Sequence, residues 1–358
     1  MLQIDHVHFY VEDAQGWRNW FVKCLGFQAV VNSSFPTFGN QEKSFHTCTE
    51  VVKNGNVYFL LSSPLLSTSP VAEFLRHQPP GVADIAFMVT DVEAATAKAK
   101  ANGAKILQPV RNSVFCKYSK VAAWGRLTHS LIERSIDNRQ LSWRDEDSFT
   151  AIDHVVLNVP AGDLQSAVNW YSLIFDFQPQ QSFNIHTERS GLHSQVMISA
   201  NGNVQLPINE PSSPNSQIQE FLDVNCGSGV QHIALRTPNI VKAIAHFRSA
   251  GLSFLSVPES YYLQLQQRLE LPLSHSELQA IAQQEILVDS QEDAPLEALL
   301  LQIFTQPIFN EPTFFFEFIE RRSQAAGFGE GNFRALFTAI ENEQVKRGFV
   351  REEVTGDR

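Results

Sequence analysis

Cysteine is scarce in this chain, and the few cysteines stand far apart. The four residues Cys24, Cys48, Cys116 and Cys226 form no CxxC pair. This spacing does not indicate a disulfide framework, and it favours free thiols in a reducing compartment.

Basic tracts and long apolar segments are missing as well. The net charge is −11 with no cluster of lysine or arginine, so nucleic acid and anionic membranes are not expected partners. No segment approaches the roughly 18 uninterrupted apolar residues of a membrane span. The opening MLQIDHVHFYVED lacks the basic and apolar regions of a signal peptide. These absences predict a cytoplasmic protein.

The composition that remains is that of a globular protein with a substantial core. Of the 358 residues, 43% are apolar and 18% are charged, and the length suffices for two domains of ordinary size. Phenylalanine is abundant at 27 residues, which indicates an aromatic-lined interior or pocket.

The chain contains an internal repeat. IDHVHFYV at Ile4–Val11 recurs as IDHVVLNV at Ile152–Val159, and GVADIAF at Gly81–Phe87 recurs as GVQHIAL at Gly229–Leu235, both at an offset of 148 residues. Four further segments recur in the same order, among them SLIER at 130–134, which returns as EFIER at 317–321. Such self-similarity indicates duplication of one architecture.

Each copy has the pattern of strand, helix and further strands, twice over. In the first copy we expect strands over Ile4–Val11, Lys43–Glu50, Asn56–Leu61 and Val82–Val89, and helices over Asp13–Leu25 and Val92–Asn102 that end at Gly26 and Gly103. Strands that curl around a cleft in such units define an α+β fold. The polar segment 137–150 is the expected linker between a first domain, 1–136, and a second, 151–358.

The second copy has two additions. Helices are expected over Tyr261–Leu269 and Glu277–Gln284, the latter preceded by Ser274 at capping-box spacing. A final helix over Phe333–Lys346 has one apolar face, formed by Phe333, Leu336, Phe337 and Ile340. This helix either docks on the strands or acts as a lid whose phenylalanines close a pocket.

One carboxylate lies within a markedly apolar stretch. Glu317 stands in FFFEFI at 314–319, where alternation along a strand leaves both faces apolar. A carboxylate buried there must be neutral, pair with a cation or hold a metal ion. Arg321 and Arg322 are near in sequence, so a salt bridge and a metal site are both open interpretations.

The two copies differ where chemistry is expected. The first copy has His6 and Asp84, with Ser130 at the position of Glu317, whereas the second has His154 and His232. Two imidazoles and one carboxylate on three strands are the ligand set of a non-haem Fe(II) centre with open positions. The second copy is therefore the expected metal domain, and the first is expected to be structural, with Asp84 hydrogen-bonded or near solvent.

Amide side chains accompany these residues. Asn209 and Gln302 lie in apolar stretches, where an amide requires a partner. Gln217 and Gln231 lie nearby in sequence, although strand alternation places Gln231 on the face opposite to its neighbour His232. Amide donors, aromatic walls and a cation together suit a small anionic aromatic ligand.

The sequence resembles the 4-hydroxyphenylpyruvate dioxygenases of the vicinal oxygen chelate superfamily over nearly its whole length. The motifs that carry the resemblance are DHVVLNV, LPINEP, SQIQEFL, GVQHIAL, YYLQLQQRL, LQAIAQQEILVD, LLQIFTQP, FFFEFIERR and GFGEGNFRALFTAIE. The resemblance implies two tandem domains, each of paired βαβββ modules that form a curled, barrel-like sheet, followed by a C-terminal lid helix.

The resemblance also implies the site and the reaction. Fe(II) would be held by His154, His232 and Glu317. The substrate would be lined by Ser194, Asn209, Gln217, Gln231 and Gln302 and walled by Phe304, Phe315, Phe328 and Phe333. Gln302 and Asn209 are candidates for orienting it. 4-Hydroxyphenylpyruvate and the co-substrate O₂ would give homogentisate and CO₂, through decarboxylation, ring hydroxylation and side-chain migration. Such a reaction serves tyrosine catabolism or the supply of quinone and tocopherol precursors. We also expect a homodimer or homotetramer.

Three alternatives remain. A 4-hydroxymandelate synthase resembles this family in fold and metal but tends to have a branched aliphatic residue where this chain has Phe333. An extradiol dioxygenase shares the ligand set, but the GFGEGNF and LLQIF segments disfavour it. A metal-free binding protein of the superfamily is disfavoured by the complete ligand set in one half.

Overall fold

The computed structural model describes residues 2–30, 46–113, 115–134, 149–187, 190–268, 272–290 and 295–349. The predicted linker 137–150 lies outside the described residues, except for Phe149 and Thr150.

The described part of the first half forms two successive βαβββ units. Its elements, in order, are β1 (Gln3–Tyr10), α1 (Ala14–Leu25), β2 (Gln28–Val30), β3 (Thr47–Asn54), β4 (Val57–Pro64), α2 (Pro70–Leu75), β5 (Gly81–Met88), α3 (Val92–Ala101), β6 (Ile106–Asn112), β7 (Cys116–Ala122) and β8 (Thr128–Arg134).

The second half repeats the pattern with extra helices. Its elements, in order, are β9 (Ala151–Asn158), α4 (Leu164–Phe175), β10 (Gln178–His186), β11 (Gly191–Ile198), β12 (Gln205–Pro211), α5 (Gln217–Val224), β13 (Gly229–Arg236), α6 (Ile240–Ser249), α7 (Glu259–Arg268), α8 (His275–Gln283), β14 (Leu287–Asp289), β15 (Leu300–Phe304), β16 (Phe315–Arg321) and α9 (Phe333–Arg347).

The two sheets have the same topology. The first has the order β2-β3-β4-β1-β5-β8-β7-β6, and the second has the order β10-β11-β12-β9-β13-β16-β15-β14. In both, the two leading strands of the paired units lie next to each other and are antiparallel. The predicted α+β architecture of two duplicated domains with curled sheets and a C-terminal helix is therefore confirmed.

Local sequence signals account for most element ends. Asp13 accepts backbone hydrogen bonds at the start of α1, and Gly26 ends the helix with a φ of 66°. Ser274 accepts from the amide of Glu277 as the capping-box spacing predicted. Of the strand expected at Lys43–Glu50, residues 43–45 lie outside the described residues, and β3 (Thr47–Asn54) contains residues 47–50. β3 continues to a tight turn at Gly55, whose φ is 57°.

The halves share one core. Phe314 and Phe316 face the first half, where their ring centroids lie 5.2 Å from that of Phe9 and 5.9 Å from that of Phe59, respectively. A buried hydrogen bond of 3.1 Å joins His129 Nε2 to the Tyr171 hydroxyl across the same boundary. Because Phe314 and Phe316 face the shared core, alternation turns Phe315 and Glu317 to the opposite side of β16. None of the described helices is long and apolar enough to cross a membrane.

Candidate metal centre

Three neighbouring strands carry the three predicted metal ligands. β9, β13 and β16 lie side by side in the middle of the second sheet. Ala234 of β13 pairs with His154 on one side and with Glu317 on the other. His232 lies two residues before Ala234 and therefore faces the same side of the sheet. The register of the sheet thus brings together residues that are up to 163 positions apart in the chain.

The side chains of these residues converge. Glu317 Oε2 lies 3.0 Å from His154 Nε2 and 3.6 Å from His232 Nε2. The ligand atoms of all three lie within 4.8 Å of one another, with His154 and Glu317 buried and His232 partly exposed. This spacing allows all three to reach a single ion.

An extra residue in β9 supports His154. The register between β9 and β13 shifts between Ile152 and His154, so that Asp153 forms a β-bulge. Asp153 Oδ1 lies 3.0 Å from His154 Nδ1, and Arg321 donates to the same carboxylate at 2.7 and 2.8 Å. Burial opposes the charge of Asp153, but Arg321 and His154 hold its pKa well below the usual range. Such a contact fixes the imidazole so that its other nitrogen faces the metal position.

The second imidazole is oriented in another way. The ring of Phe315 stacks on His232, with centroids 4.8 Å apart and an angle of 19° between the planes. Within the described residues, His232 Nδ1 is buried without a hydrogen-bond partner. Burial lowers the pKa of His232 and outweighs the attraction of Glu317. His232 is thereby kept neutral, which is the form that binds a metal ion.

The electrostatics of the centre favour a positive charge beside Glu317. Burial by itself would lower the pKa of His154, but Glu317 and Asp153 raise it to about 9. Burial opposes the charge of Glu317, yet His154 and His232 hold its pKa below the usual value. A metal cation bound to the same three groups would take the place of the proton on His154.

The salt-bridge interpretation of Glu317 is wrong. Arg321 pairs with Asp153, and Arg322 pairs with Glu320 and Glu277. Glu317 instead contacts the two imidazoles and accepts a hydrogen bond from Gln302 Nε2 at 3.3 Å. Two imidazoles that can be neutral and a carboxylate that pairs with none of the described arginines fit a divalent transition-metal ion.

The first half has a different set at the equivalent positions. His6 pairs opposite Ala86 as His154 pairs opposite Ala234. Asp84 is buried and accepts hydrogen bonds from the hydroxyls of Thr128 at 2.6 Å and Ser130 at 3.1 Å. Asp84 is thus hydrogen-bonded, one of the two outcomes that the sequence predicted.

Phenylalanines surround the centre. The ring of Phe328 lies 5.2 Å from that of His154, and the ring of Phe304 lies 6.4 Å from that of His232. Phe333, the first residue of α9, lies 5.1 Å from Phe183 of β10, and Phe183 lies 6.3 Å from Phe328. Of the four predicted wall residues, Phe304, Phe315 and Phe328 lie directly against the imidazoles, and Phe333 extends the aromatic wall through Phe183.

Predicted polar residues form a row across the sheet. Ser194 pairs with Asn209, and Asn209 pairs with Asn158 of β9. Asn209 Nδ2 donates to Asn158 Oδ1 at 3.4 Å, and all three residues are buried. Asn158 lies four residues after His154 on the same strand and therefore on the same face. The sequence interpretation missed it, although the His-x-x-x-Asn spacing on a predicted strand could have indicated it.

The two remaining glutamines are also buried. Gln217 begins α5, and Gln231 lies in β13. The register of β13 against β9 shifts between Val230 and His232, which makes Gln231 an extra residue in a second bulge. Strict alternation, the reason for doubting Gln231, does not hold at a bulge. The lining of a substrate by Ser194, Asn209, Gln217, Gln231 and Gln302 remains a prediction.

Comparison with known proteins places this fold and site in a known class. Models of the Glyoxalase/Bleomycin resistance protein/Dioxygenase superfamily match residues 5–116 and 151–269. Each half of the chain is thus one domain of this superfamily, as the two sheets indicate.

Full-length relatives narrow the class. The chain is 36% identical to a 4-hydroxyphenylpyruvate dioxygenase of Coccidioides posadasii, over 96% of this chain and 93% of that protein. It is 35% identical to the one of Dictyostelium discoideum, over 96% of this chain and 98% of that protein. A solved triple mutant of 4-hydroxymandelate synthase from Streptomyces coelicolor superposes with a TM-score of 0.80 at 26% identity, covering 96% of this chain and 98% of that one. The chain belongs to the 4-hydroxyphenylpyruvate dioxygenase family, and the resemblance seen in the sequence is confirmed.

Proposed function

We propose that this protein binds Fe(II) through His154, His232 and Glu317 and converts 4-hydroxyphenylpyruvate and O₂ to homogentisate and CO₂. The observation that carries the proposal is the convergence of these three side chains beside an aromatic wall. The atoms balance, because one oxygen atom of O₂ enters the carboxylate formed at the former oxo carbon and the other enters the new ring hydroxyl, while CO₂ leaves with the two oxygens of the original carboxylate. When bound, Fe(II) supplies the redox chemistry that activates O₂ for decarboxylation and ring hydroxylation.

The protein contributes orientation and exclusion of water. Phe304, Phe315 and Phe328 form apolar walls beside the imidazoles, which suits the ring of an aromatic substrate. Phe333 begins α9, whose apolar side packs against α5 and against β14 and β15. In this position α9 would act as the lid that the family resemblance implies and would keep water away from the reacting groups.

The buried amides supply the polar contacts. The amide nitrogens of Gln302 and Asn209 each donate to a protein partner, Glu317 and Asn158 respectively, and each has a second N–H group. These fixed amides, with Ser194, Gln217 and Gln231, would hold the polar groups of the substrate in one orientation. The carboxylate of a 2-oxo acid suits a pocket whose polar groups are neutral donors beside a cation.

A 4-hydroxymandelate synthase activity is the second candidate. It is favoured by the superposition on the synthase mutant. Phe333 favours the dioxygenase, because a flat ring against Phe183 extends the aromatic wall where the synthases tend to have a branched aliphatic side chain. Chromatography of the products decides between them, since homogentisate and 4-hydroxymandelate are isomers with different retention.

The decisive experiment is addition of Fe(II) under anaerobic conditions, followed by oxygen uptake with 4-hydroxyphenylpyruvate. We expect uptake of O₂ with release of CO₂ and homogentisate. Glu317→Gln should reduce metal affinity and turnover by more than the roughly 10–100-fold typical of changes around a metal site. Glu320→Gln is the matched control, because Glu320 is buried on the same strand but binds Arg322 and the amide of Ile240.

Failure of wild-type protein to consume O₂ with this substrate would refute the proposed reaction. Full activity of Glu317→Gln would refute the assignment of the metal ligands. Light scattering of the same preparation tests the expected homodimer or homotetramer.

A further inference from the structure

A chain of buried hydrogen bonds joins the candidate metal centre to the start of α9. Glu317 Oε1 accepts from Gln302 Nε2 at 3.3 Å, and Gln302 Oε1 accepts from Asn332 Nδ2 at 3.2 Å. Asn332 Oδ1 accepts from the hydroxyl of Tyr261 at 2.7 Å. The chain therefore crosses from β16 through β15 to the residue that precedes α9, and it ends on α7.

The chain is closed to water for most of its length. Glu317, Gln302 and Asn332 are 2%, 1% and 1% exposed, respectively. At such burial an amide that loses its partner has no water to replace it, so each link is costly to break. The Tyr261 hydroxyl also accepts from the amide of Val288 at 2.9 Å, which anchors the far end of the chain to β14.

The carboxylate sets the direction of the two bonds that join Glu317, Gln302 and Asn332. An ionised carboxylate can only accept, so Gln302 must turn its amide nitrogen toward Glu317. Gln302 Oε1 then faces Asn332 and requires a donor, which the amide nitrogen of Asn332 supplies. Asn332 Oδ1 then faces the Tyr261 hydroxyl at 2.7 Å, and the carbonyl of Val288, 2.9 Å from that hydroxyl, is a second acceptor for its proton. If either amide were rotated so that its oxygen and nitrogen exchanged places, an acceptor would face an acceptor or a donor would face a donor.

The glycine-rich loop before α9 is shaped around Gln302. A β-carbon at Gly329 would overlap the amide group of Gln302, and Gly329 has a φ of 79°. The amide of Gly331 donates to Asp289 Oδ2 at 3.2 Å, and Gln181 Nε2 donates to Glu330 Oε1 at 2.8 Å. The loop thus lies flat on Gln302 and reaches β14 on one side and β10 on the other.

We propose that Asn332 is a positioning residue. It couples the packing of α9 against the sheet to the orientation of Gln302 and, through Gln302, to the orientation of the Glu317 carboxylate. When α9 packs against the sheet, Asn332 fixes the amide of Gln302. Gln302 then holds Glu317 Oε1, so that Oε2 lies between the two imidazoles. With α9 displaced, Gln302 loses its only donor among these residues, and the carboxylate loses its fixed rotamer. The inference rests on the proposed function only in taking Glu317 as a metal ligand.

The test measures metal binding without turnover. Co(II) is titrated into metal-free wild-type protein and variants, and its affinity and visible ligand-field spectrum are recorded. Asn332→Ala and Asn332→Asp should each lower Co(II) affinity by about tenfold and change the spectrum, the size expected for a partner of a metal ligand. Asn332→Asp separates hydrogen bonding from packing, because it keeps the volume and the acceptor but removes the donor. Tyr261→Phe removes only the far link and should have a smaller effect in the same direction.

Gln181→Ala is the matched control. It removes a hydrogen bond to the same loop without touching the chain that ends on Glu317. It should increase hydrogen exchange in α9 while Co(II) affinity stays within about twofold of wild type. The double variant Gln302→Ala with Asn332→Ala should bind Co(II) no more weakly than Gln302→Ala alone, because Asn332 acts through Gln302.

Three outcomes would overturn the inference. The first is wild-type affinity and spectrum in both Asn332 variants. The second is an equal loss in Gln181→Ala, which would attribute the effect to a loosened helix. The third is wild-type protein that does not bind Co(II). Oxygen uptake by the wild-type enzyme tests the proposed reaction separately, so a protein with the expected Co(II) behaviour but no dioxygenase activity would refute only the proposed function.

Discussion

The ring of Phe315 lies face to face with the imidazole of His232, 4.8 Å between centroids, and the next residue along β16, Phe316, faces the opposite way into the core shared by the two halves. Two adjacent phenylalanines therefore have separate tasks. One fixes a candidate metal ligand, and the other joins the domains.

The first prediction compares these neighbours. Phe315→Leu should weaken Co(II) or Fe(II) binding by about tenfold, because His232 Nδ1 has no hydrogen bond within the described residues to replace the stack. Phe316→Leu should leave metal affinity unchanged and lower the free energy of unfolding by about 1 kcal/mol, as for a reshaped core side chain. Metal titration and urea unfolding of both variants measure the two effects. Equal metal affinities would show that the stack does not orient His232.

The second prediction uses the repeat as an internal control. Asp153 binds His154, Arg321 and Arg236, and Asp5 binds His6 and Arg134, with Asp5 Oδ2 3.1 Å from His6 Nδ1. Both lie at a register shift in equivalent strands. Asp153→Asn and Asp5→Asn should each lower the free energy of unfolding by about 3 kcal/mol, because a partly buried arginine loses its buried counter-charge.

The two variants should differ in metal binding. Asp153→Asn should weaken it by about 10–100-fold through the orientation of His154, whereas Asp5→Asn should not change it. Calorimetric titration with Co(II) measures this difference. A loss of Co(II) affinity in both variants would mean that the substitutions weaken metal binding through lower overall stability and not through the orientation of His154.

The third prediction concerns acid stability. Burial lowers the pKa of His129 to about 4, despite its hydrogen bond to the carbonyl of Ile85. The unfolded chain binds a proton near pH 6.5, so the contribution of neutral His129 is complete above pH 6.5 and is lost as the pH falls toward 4. The loss is about 1.4 kcal/mol per pH unit within that window.

Urea unfolding between pH 4 and 7 tests this prediction. Burial also lowers the pKa of His8, to about 3, which adds a dependence of the same sign. The difference between wild type and His129→Gln isolates His129, since the variant cannot take up the proton. Parallel pH profiles for the two proteins would contradict the prediction.

The fourth prediction concerns product choice. Phe333→Ile should shift the product from homogentisate toward 4-hydroxymandelate, because the branched side chain removes the edge-to-face contact with Phe183 and leaves the substrate ring less confined. Phe337→Ile is the matched control on the same helix, since Phe337 packs with Leu192 and Ile218 in a separate cluster. Chromatography of the products gives the ratio. An unchanged ratio in Phe333→Ile would show that this residue does not steer the ring.

The chain sequence was sufficient for the duplicated architecture and for the choice of His154, His232 and Glu317 as the candidate ligands. Apolar alternation and helix caps are local patterns, and the 148-residue offset is found by comparing the sequence with itself. Each can be recognised without knowing which strands pair. The same alternation correctly separated Phe315 and Glu317 from Phe314 and Phe316, because β16 is regular.

The supporting residues depended on the tertiary structure. The bulges at Asp153 and Gln231 arise from the pairing of β9 with β13, so no periodicity along either strand shows them. The sequence left a salt bridge from Arg321 or Arg322 to Glu317 open, because proximity in sequence says nothing about the direction of a side chain on a twisted strand. Three residues far apart in sequence form the hydrogen-bond chain: Asn332, Gln302 and Tyr261. They come into contact because a loop, a sheet and a helix pack together, and local sequence patterns do not show such packing.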